Sequence, residues 1–216
     1  AFFRALAHSR RVDGAPACRI MLPCDAISAF KLTELMANID GLCYMRTHRP
    51  DVPFIYDENE SFEPGGYKHL VDGEDLVIVA SGYMLHVART AMAILEEENG
   101  LNASLIDAYS LPLAKPEEIL QVGDDCGGQI LVVEDNYVGG VYDEISAAAA
   151  ASDLQVGLRA VLLRPAIAAA AGALRAHRPD FRADWRYPHD LRALLPADEH
   201  LRTTFLAAWL ETAAYG

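Results

Sequence analysis

Long apolar runs are absent from this chain. No window approaches the roughly 18 uninterrupted apolar residues of a membrane helix, so no such span is expected. The start, Ala1-Phe2-Phe3-Arg4-Ala5-Leu6-Ala7, is apolar and basic but lacks the longer apolar stretch of a secretory signal. It opens with Ala rather than Met, and we read it as the cut or processed edge of something longer. Paired cysteine chemistry is also missing. The four cysteines, at 18, 24, 43 and 126, form no Cys-x-x-Cys and no metal-like pairing with His, which fits reduced thiols in a cytoplasmic protein. A net charge of −13 disfavours nucleic acid and anionic membrane as partners, because phosphate backbones are held by Lys and Arg clusters.

What is present suits a soluble globular protein. Of the 216 residues, 52% are apolar and 23% charged, enough to bury a core without disulfides or metals. The length fits one generous domain, or one domain plus part of another. Charge is uneven: residues 151–216 carry eight Arg, no Lys and seven acids, which leaves about −14 on the first 150. Acidity of that kind is a solvated surface and says little about substrate.

The pattern predicts alternating strands and helices. Arg19-Ile20-Met21-Leu22 reads as a buried strand ended by Pro23, followed by a helix to about Asn38 with Asp25 as N-cap. Gly41 stops that helix, and Leu42 to Thr47 is the next strand, completing one βαβ unit. Residues 50–75 hold three prolines, Gly65-Gly66 and many acids, and a domain boundary is placed within them. Strands follow at 76–80, 104–107, 130–134 and 158–163. Helices are expected from about Tyr83 to Glu98, from Pro116, and from Gly139-Gly140 to near Ser152. Gly100 stands where a C-cap glycine belongs. The fold class is therefore α/β, a mostly parallel sheet with flanking helices and right-handed crossovers, preceded by a partial βαβ unit of a second α/β domain. Ala166–Ala176 and Leu201–Leu210 are expected to be helical.

Four stretches, taken in order, resemble transketolases, the thiamine-diphosphate enzymes that move two-carbon ketol units between sugar phosphates. Leu22-Pro23-Cys24-Asp25-Ala26 is similar to the family's Tyr-Pro-Ser-Asp-Ala segment. Gly41-Leu42-Cys43-Tyr44-Met45-Arg46-Thr47-His48-Arg49-Pro50 resembles its Gly-x-Cys-x-x-Arg-Thr-Ser-Arg-Pro run and is the most specific of the four. Ser81-Gly82-Tyr83-Met84-Leu85-His86 is similar to a turn at a helix start, and Val133-Glu134-Asp135-Asn136-Tyr137-Val138-Gly139-Gly140 to Val-Glu-Asp-His-Tyr-x-x-Gly-Gly. The resemblance implies three parts. Residues 1–62 would end the middle, pyrimidine-binding domain with its linker, 63–164 would form the transketolase C-terminal domain, and 165–216 a helical tail.

The resemblance also implies what lies elsewhere. The family's Gly-Asp-Gly and Asn-Asn segments, which hold thiamine diphosphate through Mg or Ca, do not occur here: Gly123-Asp124-Asp125 lacks the third glycine. No cofactor is therefore expected to bind this chain alone, and without it no carbanion chemistry is possible. The implied function is a supporting part of a complete transketolase of the pentose phosphate pathway. Its partners would be the remainder of the polypeptide or a companion N-terminal subunit, a second copy in a homodimer, and a sugar phosphate. A related thiamine-diphosphate enzyme (deoxyxylulose-phosphate synthase or a 2-oxoacid dehydrogenase β subunit) and a non-catalytic interaction module stand as alternatives.

Two residues carry the site expectation. Arg49 matches by resemblance an arginine that grips the substrate phosphate, and its planar fork of donors suits phosphate oxygens. Pro50 keeps Arg49 out of a helix and extended at a strand end, where ligands of parallel sheets gather. The alternative is pairing with a local acid such as Asp51. His48 stands where the family has Ser, as a further phosphate donor or as a space filler. Weaker candidates are His86 as an anion ligand, Glu134-Asp135 as a carboxylate pair, the Gly127-Gly128 and Gly139-Gly140 turns as phosphate cradles, and Cys126.

Overall fold

The computed structural model describes residues 2–135 and 139–162. Residues 1–134 and 138–160 form one compact unit, which holds both sheets; a second unit, 135–137 and 161–216, falls almost wholly outside the described residues. The helices expected at Ala166–Ala176 and Leu201–Leu210 lie there too.

The chain opens with α1 (Phe2–His8), β1 (Cys18–Met21), α2 (Ala26–Ala37) and β2 (Leu42–Met45). β1 and β2 run parallel, Cys18 opposite Leu42 and Met21 opposite Met45, so this part is the expected βαβ unit. Asp25 caps α2 as predicted. Its Oδ1 accepts from the Ser28 amide at 2.7 Å while the Ser28 hydroxyl accepts from the Asp25 amide at 3.0 Å, a reciprocal box that satisfies two orphan donors. The strand is shorter than expected, ending at Met45, which leaves Arg46 to Arg49 outside regular structure.

After β3 (Lys68–Val71) come β4 (Leu76–Ala80), α3 (Met84–Asn99), β5 (Ala103–Asp107), β6 (Ser110–Leu111), α4 (Pro116–Asp125), β7 (Gln129–Glu134), α5 (Val141–Ala150) and β8 (Gly157–Leu162). The five-stranded sheet has the order β3-β5-β4-β7-β8, with β4 parallel to both β5 and β7. Val77, Ile78, Val79 and Ala80 of β4 are all buried, as a central strand covered on both faces requires. α3 ends where expected, Gly100 taking a left-handed φ of 66° that a side chain would resist.

Three elements had no counterpart in the sequence reading. α1 folds onto the core: Ala7 is buried and the Phe3 ring stacks on Tyr44 with centroids 4.1 Å apart. β3 adds an antiparallel edge to β5 inside the stretch read as a connection. β6 pairs antiparallel with β1, so both sheets are mixed. One apolar core serves them: Cys18 and Ile20 of β1 cluster with Val77, Val79, Ile106 and Ile130 of the larger sheet. Each such side chain contributes about 1.5–3 kcal/mol by leaving water. Among the described residues no helix is long and apolar enough to cross a membrane.

Candidate functional site

Parallel pairing brings the carboxyl ends of β1 and β2 to the same edge, and a cleft opens there with a volume of about 410 Å³. That is within the usual range for small-molecule sites. One wall is the turn between β1 and α2, with Pro23, Cys24 and Asp25. The opposite wall is the segment after β2, with His48, Arg49 and Phe54, and Tyr83 closes the cleft from the start of α3.

Both residues singled out in the sequence line this cleft. Arg49 is exposed at it, and among the described residues no ion pair joins its guanidinium to Asp51 or to any other carboxylate. His48 is half-buried, its ring tilted against Tyr83 with centroids 5.9 Å apart. Gly82 lets them meet. Its φ is +57°, and a Cβ there would stand 2.8 Å from His48 Nε2.

The rest of the wall is fixed by hydrogen bonds. His86 Nε2 lies 2.8 Å from the Cys24 carbonyl oxygen, which can only accept, so Nε2 carries the proton and ties α3 to the turn. Asp25 uses its second oxygen on the far end of the segment after β2: Oδ2 accepts from the Ile55 amide at 2.7 Å and the Tyr56 amide at 3.0 Å. Burial alone would push the Asp25 carboxyl up, but the amides of Ser28, Tyr56 and Ile55 outweigh it and hold the group below its ordinary value. Behind it, the Tyr56 hydroxyl donates to Asp107 Oδ2 at 2.6 Å. Burial raises the Asp107 carboxyl to about 7. The same burial, with Asp107 close by, pushes the Cys24 thiol and the Tyr56 phenol up, which leaves Cys24 a poor nucleophile. The sequence reading missed Tyr56 and Asp107, which lie 51 positions apart and carry no shared motif.

Glu134, Gly127, Gly128 and Cys126 do not line the cleft. Glu134 is buried at the end of β7 and accepts from the Tyr142 amide at 2.9 Å, while the space beside Gly140 is filled by that carboxylate, which would repel an anion. Gly127 abuts the Asp75 backbone. Cys126 donates its thiol to the Gly73 carbonyl at 3.0 Å. Among the described residues no group of three or more His, Cys, Asp or Glu side chains could hold a metal ion. No chemical step is assigned to a metal-bound diphosphate.

These features define an α/β chain with a ligand-sized cleft at its strand ends. The family described as "Transketolase, C-terminal domain" matches residues 65–180, more than half of the sequence, and the chain belongs to that family. It is 38% identical over 136 residues to transketolase-like protein 1 of Bos taurus, covering 62% of this chain and 23% of that protein. It is 32% identical over 136 residues to the transketolase of Homo sapiens, covering 62% of this chain and 22% of that protein. The chain thus spans less than a quarter of the length of these relatives. Among solved structures, "Split gene transketolase, inactive beta4 tetramer" matches at a TM-score of 0.63 and 25% identity, covering 74% of this chain and 51% of that one.

Proposed function

We propose that this chain is the C-terminal part of a transketolase that transfers two-carbon ketol units between sugar phosphates, and that its cleft receives the substrate phosphate. Arg49 is the principal phosphate ligand and His48 an additional donor. The carrying observation is that Arg49 lines a strand-end cleft without a carboxylate partner among the described residues. A free guanidinium offers its planar donors to a phosphate, whereas one already paired would have to give up its partner first.

In this reading thiamine diphosphate and its Mg or Ca are held by the rest of the enzyme, in the same polypeptide or in a companion chain, and supply the carbanion chemistry. The present chain supports assembly of a homodimer in the cytoplasm and is inactive alone. Its divisions are 1–62, 63–164 and 165–216, and the family match beginning at residue 65 supports the first boundary. The structural neighbour's own description as a split-gene, inactive tetramer supports the companion-chain form.

The test is Arg49→Ala in the complete or reassembled enzyme. Loss of one charge-assisted contact costs about 1.5–3 kcal/mol, so KM for phosphorylated substrates should rise roughly 10- to 100-fold with little change for unphosphorylated ones. An unchanged KM for sugar phosphates would sink the assignment.

A further inference from the structure

The segment that carries His48 and Arg49 runs from Arg46 to Tyr56 without helix or strand, yet both its ends are tied. At the near end the Arg46 amide donates to the Met21 carbonyl at 2.9 Å, extending the β1–β2 ladder by one bond. At the far end the Ile55 and Tyr56 amides converge on Asp25, and the Tyr56 side chain reaches past it to Asp107 at the end of β5. Between the ties no backbone hydrogen bond besides those of helices and strands engages residues 47–54 among the described residues. The backbone of this stretch is thus tied at its two ends, with the His48 ring set against Tyr83 between them.

We infer that Tyr56 and Asp107 are positioning residues: their buried hydrogen bond fixes the far end of the 46–56 segment and so holds Arg49 at the cleft.

Three observations support this. Tyr56 is 4% exposed and Asp107 fully buried, so water cannot replace either partner if the other is removed. The bond joins different layers, since Asp107 belongs to the five-stranded sheet and Asp25, which holds the same end of the segment, caps a helix of the βαβ unit. The Tyr56 ring is further held edge-on by Phe62, which in turn meets Tyr109 edge-on, with centroids 5.0 and 4.8 Å apart. A side chain braced in this way sets the position of its own backbone, and that backbone ends the segment bearing Arg49.

The inference rests on the phosphate reading of the cleft, and the experiment separates the two. Inorganic sulfate is the probe, because it keeps its charge across the working pH range. In the protein as isolated, Tyr56→Phe and Asp107→Ala should speed amide exchange of residues 47–54 about tenfold while β4 and β7 stay within about twofold. Both should weaken sulfate binding several-fold. Asp107→Asn keeps an acceptor for the Tyr56 hydroxyl and should restore both readouts towards wild type. Unchanged exchange in residues 47–54, or a parallel rise in β4 and β7, overturns the positioning role. If the segment loosens selectively but Arg49→Ala leaves sulfate affinity unchanged, the anchor stands and the phosphate reading falls.

Discussion

The carboxylate of Glu134 occupies the only space a side chain at position 140 could use, so Glu134 and Gly140 are complementary in shape across the turn from β7 to α5. Gly140 has an ordinary negative φ of −104°, so its lack of a side chain answers a steric demand rather than a backbone one. The buried carboxylate, in turn, stands in for the missing cap of α5 by accepting from the Tyr142 amide.

Gly140→Ala should therefore destabilise the protein by about 2–4 kcal/mol, since the methyl group must drive a buried, hydrogen-bonded carboxylate from its place. Urea unfolding measures this. A loss under about 0.5 kcal/mol would mean that Glu134 swings aside freely, and that the cap on α5 contributes little.

Asp107 predicts a pH dependence of the opposite sense to most acids. Burial raises its folded value from 3.8 to about 7, with the hydrogen bonds from Tyr56 and Cys24 working against that rise and the nearby Asp25 charge with it. The folded state thus holds the proton more tightly than the unfolded chain. Its stabilising contribution is complete below the unfolded value and is lost as pH rises to about 7, beyond which it is flat. Between pH 5 and pH 7.5 the wild type should lose roughly 2 kcal/mol relative to Asp107→Asn. Parallel stability curves for the two proteins would contradict a buried, proton-binding Asp107.

Asp25 has the reverse sign. Its folded carboxyl titrates below its ordinary value, so its contribution is present above that value and disappears as pH falls through the folded one. Asp25→Ala removes the cap of α2 and both acceptor bonds to Ile55 and Tyr56 at once. The cost should be about 2–4 kcal/mol at neutral pH, shrinking in acid, as read from chemical denaturation at pH 7 and pH 3.

How much of this was legible beforehand follows the range of the interactions. β4 and α3 are local matters: a short apolar run, a 3.6-residue period and a terminal glycine place them within a residue or so. The Asp25 cap is equally local, a bond across three positions. His48 and Arg49 could be named from motif resemblance, and the parallel pairing of β1 and β2 then brings them to the cleft edge, whereas Tyr83 joins them from the start of α3 and was not singled out. By contrast β6 has two residues and exists only because β1 lies beside it. β3 is a half-exposed edge strand in a polar stretch with no apolar run to mark it. α1 is a seven-residue helix stabilised by its docking, through Ala7 and Phe3, more than by propensity. The Tyr56–Asp107 bond links distant positions through the fold itself, and no spacing rule reaches that far.

Gly82 and His48 allow the most local test of the cleft wall. Gly82 has a left-handed φ of +57°, and His48 Nε2 would lie 2.8 Å from a Cβ placed there. Gly82→Ala therefore carries two costs: about 1 kcal/mol for the backbone conformation, and a further term for displacing the His48 ring from Tyr83. Only the second depends on His48. A double-mutant cycle with His48→Ala should show Gly82→Ala less damaging in the His48→Ala background by about 0.5–1.5 kcal/mol, measured by thermal unfolding. Equal losses in the two backgrounds would mean that the ring already has room to move, and that His48 does not form a fixed wall of the cleft.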